Sequence, residues 1–328
     1  MARAEDGAMG EALIDFTSGT PVAGDLDVRW QHGSVSSAHN TDPPIQVHAY
    51  DEHTFILRQN KAVHYEAPFM FLLCGNERAL LLDTGATEDA QTFPLRATVD
   101  RLLADWLAAH PRDGYELVVA HTHGHGDHHA GDDQFTGRPD TGVIPVAAEA
   151  VWAYFGLTDW PTQVVTYDLG GRVLDIVGIP GHQAASIAVF DPWTGFLLTG
   201  DTVCRGRLYV KDFPAFTDSM RRLVDFAAAR EVTWVLGCHI EMTTTPGRDY
   251  PIGTTYQPHE PPLQLTVDRL TAVRDAAESV ADRPGVHGYD DFIIYHGPCT
   301  RAVLRQLARG RVDRLVNRVR AVLRKPAA

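Results

Sequence analysis

Short apolar runs set off by glycine, proline and aspartate fill most of the chain, and a helical spacing takes over towards its end. Residues 45–50, 54–58, 69–74 and 79–83 read as strands, the last two joined by the hairpin signal Gly75-Asn-Glu-Arg78. Further strands are predicted at 116–120, 143–146, 164–168, 172–177, 186–190, 195–201 and 232–236. Helices are predicted at 88–109, 147–155, 216–230, 263–281 and 299–324. The first carries Leu95, Val99, Leu102, Leu103, Trp106 and Leu107 on one face, and Pro94 either splits off its first turn or marks its true start. Strands alternating with helices predict an α/β fold. Residues 1–45, rich in Gly, Ser, Asp and Pro with one strand-like piece at 25–30, predict an arm that wraps onto the body. Residues 241–262 show no periodicity, and a loop that long in a compact domain is usually a lid or a binding rim. The expected organisation is an arm (1–45), a catalytic body (46–262) and a helical extension (263–328) packed on the same body.

Composition narrows this little. The 328 residues are 44% hydrophobic and 22% charged, as in soluble globular proteins, with no run long enough for a membrane span. A net charge of -13 argues against general affinity for nucleic acid. The N-terminus lacks the basic flank and apolar centre of a secretory signal, and four widely spaced cysteines read as reduced thiols, so the expected location is cytoplasmic. Cys204 and Cys238 adjoin candidate ligands as pocket-wall candidates, although small buried hydrophobes are the more common role. The last helix spaces Val303/Leu304, Leu307, Val312, Leu315/Val316, Val319 and Val322/Leu323 helically, while eight arginines and Lys325 face one acid, Asp313. It is expected to dock by its apolar stripe with a solvated arginine face, the stripe also being a candidate homodimer contact.

The chemistry concentrates at 121–131, directly after the strand at 116–120. Thr122-His123-Gly-His125-Gly-Asp127-His128 sets three imidazoles and a carboxylate within six positions, donor types that suit zinc, iron or manganese. Gly124 and Gly126 are expected to let the backbone turn so that alternate side chains converge. Single His or Asp residues follow three other strands: His182 after Gly-Ile-Pro-Gly, Asp201 after Leu-Leu-Thr-Gly and His239 after Val-Leu-Gly-Cys.

Together with Asp83-Thr-Gly, this ordered set resembles the metallo-β-lactamase superfamily from about Phe69 to His239. The resemblance implies a four-layer αβ/βα sandwich with two divalent metal ions, zinc first and iron or manganese as alternatives. It implies that His123, His125 and His182 hold one metal, that Asp127, His128 and His239 hold the other, and that Asp201 bridges both. A hydroxide shared by the metals would attack a carbonyl, with Asp127 orienting it or carrying its proton. Asp83 is expected either to fix a ligand imidazole from behind or to cap its own turn. His121 and His129 fall outside the pattern.

True β-lactamases of the superfamily do not carry aspartate at the position matching Asp201 and are usually exported, so the expected reaction is hydrolysis of a small-molecule ester, lactone or thioester. Phosphodiester hydrolysis and mononuclear iron oxygenation of a thiol or persulfide are the alternatives on the same fold. Arg207, Tyr209 and Lys211 are candidates for binding a substrate carboxylate or oxyanion, and Tyr250, Tyr256 and His259 are rim candidates. The expected partner is a small molecule, with no nucleic acid and no membrane.

Overall fold

The computed structural model describes residues 13–36 and 39–323, apart from the side chains of 321–323. Strands β1 (Ile45–Asp51), β2 (Thr54–Gln59), β3 (Phe69–Cys74) and β4 (Arg78–Leu82) form an antiparallel meander. β5 (Glu116–Ala120) and β6 (Thr141–Val143) join it in parallel, completing a six-stranded sheet in sequence order. A five-stranded sheet combines β7 (Val164–Asp168), β8 (Val173–Gly178), β9 (Ile187–Asp191), β10 (Phe196–Gly200) and β12 (Trp234–Gly237), in the order β12-β10-β9-β8-β7. A small third sheet pairs β11 (Arg207–Val210), β14 (Ile293–His296) and β13 (Gly285–Gly288), in the order β11-β14-β13. The helices are α1 (Leu95–Ala109), α2 (Gly126–His129), α3 (Ala148–Phe155), α4 (Phe213–Ala228), α5 (Val267–Ser279) and α6 (Thr300–Leu323).

Alternation along the strands makes the layers. On β3, Phe69, Phe71 and Leu73 face the second sheet, whereas Met70, Leu72 and Cys74 pack with Leu95, Val99 and Trp106 of α1. On β9, Ile187 and Val189 face inward, while Ala188 and Phe190 meet Phe216, Met220 and Leu223 of α4 and Leu270 and Val273 of α5. Both sheets are therefore apolar on both faces, and the result is the expected αβ/βα sandwich. Each large side chain buried this way contributes about 1.5–3 kcal/mol.

Local chemistry sets the boundaries. Helix α1 starts at Leu95, so Pro94 marks its true start. Helix α4 starts at Phe213, earlier than expected, because the Asp212 carboxylate accepts from the Ala215 N–H at 3.1 Å and caps it. The expected strand at 25–30 is irregular backbone; Trp30 instead packs edge-on against Phe69 at 4.9 Å. The arm is tied down by the Val22 N–H to Trp193 O and the Asp25 N–H to Tyr50 O, at 2.8 and 3.0 Å. Strands β11, β13 and β14 were not expected, and through them the C-terminal segment pairs with the chain just after Asp201.

Helix α6 departs from expectation on its apolar side: most of its arginines are solvated as expected, but most of the apolar stripe is solvated with them. Apart from Val303, which packs by Met242, Ile293 and Tyr295, its body-facing side is polar or small: Gln306 donates to Asp249 at 2.7 Å, Arg314 donates to Gly253 O, and Gly310 lies so close to Ile252 O that any side chain would overlap it. Leu304, Leu307, Val312, Leu315, Val316 and Val319 are exposed. The loop under α6 offers the Asp249 carboxylate, the Gly253 carbonyl and the Thr254 hydroxyl, which donates to Asp313 on the helix at 3.3 Å, so a polar strip docks and most of the apolar one stays outside. Among the described residues no helix is long and apolar enough to cross a membrane.

Candidate metal centre

Five strands of the two large sheets end at one edge, and each is followed by a candidate donor. Asp83 follows β4, His123 to His128 follow β5, His182 follows β8, Asp201 follows β10 and His239 follows β12. The turn after β5 is made by the short helix α2; neither Gly124 nor Gly126 has a positive φ, so helical backbone rather than left-handed glycine brings the side chains together.

Two donor sets result. In the first, His123 Nε2 lies 3.0 Å from His125 Nδ1, and His182 Nε2 lies 3.2 and 3.0 Å from those two atoms. In the second, His128 Nε2 and His239 Nε2 are 3.4 Å apart, and Asp127 Oδ2 lies 3.5 and 3.3 Å from them. Asp201 faces both: Oδ2 is 3.8 and 3.7 Å from His123 and His182, and Oδ1 is 3.4 and 3.3 Å from His128 and His239. A tetrahedral ion with ligands at about 2.1 Å has donors about 3.4 Å apart, so these spacings fit. Asp201 Oδ1 is buried with no hydrogen-bond partner, an orphaned acceptor that a cation would satisfy.

The remaining ring nitrogens are held from behind. His128 Nδ1 donates to Asp83 Oδ2 at 2.9 Å, His182 Nδ1 to Tyr209 O at 2.7 Å and His239 Nδ1 to Glu66 O at 3.2 Å. Such partners fix tautomer and ring direction. The Asp83 carboxylate also accepts from Thr122, at 2.7 Å from its N–H and 2.9 Å from its hydroxyl, while the turn's own N–H groups at Thr84 and Ala86 go to His128 O and Gln59. Asp83 thus faces the imidazole rather than capping its turn. It does so with φ at 70°, a backbone strain that persists where neighbours over-determine it.

Electrostatics separates the two sets. Burial, then the facing imidazoles, holds His123 and His182 below the ordinary histidine range and His125 at about 4. Burial also opposes charge on His128 and His239, but Asp201 with Asp83 or Asp127 outweighs it, lifting His128 well up and His239 to about 9. The His128 and His239 imidazoles in turn keep Asp127 and Asp201 ionised against their own burial penalty. The first set therefore presents neutral lone pairs, and the second presents protons that an incoming cation must displace.

A cavity of about 520 Å³ opens over both sets. Of the pocket candidates, Arg207, Tyr209 and Lys211 line it. Arg207 is already committed, donating to Glu241, to Asp249 at 2.9 Å, to Tyr250 O at 2.8 Å and to the Tyr209 hydroxyl at 3.1 Å. Because the Tyr209 oxygen accepts there, and burial pushes its phenol pKa up, its own proton is kept for another acceptor. Lys211 Nζ lies 2.9 Å from His125 Nε2. Tyr250, Tyr256 and His259 lie outside this wall; the Tyr250 hydroxyl accepts from the His259 N–H at 2.7 Å, and Tyr256 packs near His32. His121 sits outside both sets, bonded to Asp132 at 2.8 Å. Cys204 lines the cavity, and Cys238 lies behind it, 3.3 Å from Asp83.

Sequence reasoning missed Glu66 and Glu241. Both line the cavity, and burial raises the Glu66 carboxyl pKa. Glu66 lies in the connection between β2 and β3, whose mixed stretch Lys61-Ala-Val-His-Tyr-Glu66 reads as an ordinary turn.

The profile of the metallo-beta-lactamase superfamily matches residues 66–279. The chain is 27% identical over 163 residues to the hydroxyacylglutathione hydrolase of Erythrobacter litoralis (strain HTCC2594), a match spanning 49% of this chain and 61% of that protein. Among solved structures it is similar to the DIM-1 metallo-beta-lactamase exposed to ceftazidime, at 15% identity and a TM-score of 0.49 over 74% of this chain and 100% of that one. It is also similar to a metallo-beta-lactamase from Pontibacter korlensis, at 18% identity and a TM-score of 0.43 over 60% of this chain and 91% of that one. The structural likenesses are distant, but the profile covers about two thirds of the sequence, including every donor residue of the two sets: the chain belongs to the metallo-beta-lactamase superfamily.

Proposed function

We propose that the protein is a metal-dependent hydrolase that cleaves a small-molecule thioester, ester or lactone at a dinuclear centre, with zinc as the first candidate metal. The observation that carries this reading is Asp201, whose two carboxylate oxygens divide between two donor sets of three other residues each. One anion between two cations offsets their repulsion. His123, His125 and His182 would hold one ion and Asp127, His128 and His239 the other. Bound there, divalent cations supply Lewis acidity and draw the pKa of water down to about 7.

The chain's own groups then do the rest. Asp127, ionised and at the cavity wall, accepts the proton of the attacking water and returns it to the leaving group. For a thioester the carbonyl carbon gains a C–O bond, the C–S bond breaks and the thiol leaves with that proton. The Tyr209 hydroxyl and the Lys211 ammonium face the same space and supply donors for a developing oxyanion or a substrate carboxylate. Arg207 holds Tyr209 in place rather than binding substrate. The name of the Erythrobacter relative describes hydrolysis of a hydroxyacylglutathione, which puts thioesters first in the panel. Four unpaired cysteines suit a reducing, cytoplasmic setting.

The test is turnover of matched thioester, lactone and phosphodiester substrates by zinc-loaded protein. Cleavage of a thioester or lactone is the expected result. Activity confined to phosphodiesters, or thiol oxidation with one iron per chain, would overturn it.

A further inference from the structure

A second hollow, of about 890 Å³, lies beside the metal-centre cavity and shares Lys211 with it. Its near end is the loop that carries His182, since Gly181, Gln183 and Ala184 line it. Much of its wall is apolar, from two tryptophans, three prolines and two alanines. Trp152 and Trp160 pack with ring centres 5.2 Å apart, and Pro180 and Pro214 line the same groove. Trp160 is seated on the end of β8, where a side chain at Gly178 would come within 2.8 Å of its ring. The carboxylates along the groove are engaged elsewhere: Asp212 caps α4, and Asp218 pairs with Arg221 at 3.0 Å. Arg222, on the α4 side, donates to Gly178 O and to the Ser219 hydroxyl. Apart from Lys211, nothing in the hydrolytic reading uses this groove. Apolar surface left open beside a polar centre, built in part from packed tryptophans and prolines, is the kind of wall that binds apolar ligand surface.

Resting on the hydrolase reading above, we propose that the groove is the subsite for an apolar acyl arm of the substrate. The scissile carbonyl sits over the donor sets, and an alkyl or aryl chain runs past Lys211 between Trp152, Trp160, Pro180 and Pro214. The substrate class is then a medium-chain or aryl acyl thioester rather than a short polar one. Continuity with the metal-centre cavity makes an extension of the same substrate the fitting occupant. Lys211 stands at the junction, where its ammonium reaches either space.

The experiment compares kcat/KM for N-acetylcysteamine thioesters of acetate, hexanoate and decanoate on the zinc-loaded native chain and on Ala215→Trp. Ala215 lines the groove in the first turn of α4 and belongs to neither donor set. The native chain should prefer decanoyl over acetyl by at least about tenfold, as apolar pockets discriminate by added methylenes. In A215W that preference should vanish, with acetyl turnover kept. Equal rates along the native series, or parallel loss of acetyl and decanoyl turnover in A215W, would overturn the subsite.

Decanoate binding, read by tryptophan fluorescence on the metal-free chain, separates the two readings because it needs no hydrolysis. Binding that A215W abolishes supports the groove even if no thioester is turned over. Hydrolysis of the short thioester with no decanoate binding removes the groove and leaves the hydrolase.

Discussion

The metal-centre loop and helix α6 invert each other. In the loop, polar groups are buried: His123 is 2% exposed and His128 is 0%, because each ring has a partner on its far side and further donor groups in front. On α6, apolar groups are exposed: Val312 and Leu315 stand at 61% and 62%, while Gln306 and Asn317 are buried beneath them. Polarity alone decided neither case. A polar side chain goes inside when its neighbours satisfy it, and an apolar one stays outside when most of the surface beneath its helix is polar.

Changes at the polar centre should therefore cost far more than changes on the apolar ridge. Asp201→Ala, which removes the shared anion, should lower turnover by about 10³-fold in steady-state assays. Asp83→Asn keeps the size of the group but weakens its hold on His128, and should cost about 10- to 100-fold in metal affinity, read by competition with a chromogenic chelator.

A pH dependence follows for the metal-free chain. His239 is raised from 6.5 to about 9, so protonating it stabilises the fold fully below pH 6.5, and that contribution fades as pH climbs through about 9. His123, His125 and His182, held down, are neutral in the folded state, and the opposing slope from their unfolded protonation fades within about one pH unit above 6.5. Lys61, lowered to about 8 by burial, pulls the other way above pH 8, so the test is a difference. Native metal-free protein should lose Tm between pH 6.5 and 9 more steeply than His239→Ala does; parallel slopes would contradict the assignment.

The smallest effect belongs to the ridge. Leu315→Ser should shift unfolding free energy by no more than about 0.5 kcal/mol in urea titrations. Gly310→Ala, on the docked face of the same helix, should cost about 1–3 kcal/mol, because its methyl group meets the Ile252 carbonyl. The reverse order would restore the apolar stripe as the docked side.

How much of this could be read in advance follows the same division. Strands such as Phe69–Cys74 and Ile187–Asp191 are apolar on both faces, and their runs announced a sheet covered on both sides. The donors could be read because each follows a strand end, where sheet geometry fixes direction. Arg207–Val210 could not be read as a strand, because only its pairing with Ile293–His296, far along the chain, makes it one. The orientation of α6 was illegible for a related reason: spacing shows that a helix has two faces, but not which one the body will accept. Glu66 and Glu241 were hidden because single acids in irregular connections carry no local signature; the cavity alone picks them out.

The most direct test of the central claim is metal content, by elemental analysis of native protein and Asp201→Ala purified side by side without added metal. Two divalent ions per native chain, falling to one or none in the variant, is the result predicted for a carboxylate held between two sites. A single ion per native chain, or equal content in both proteins, would contradict it.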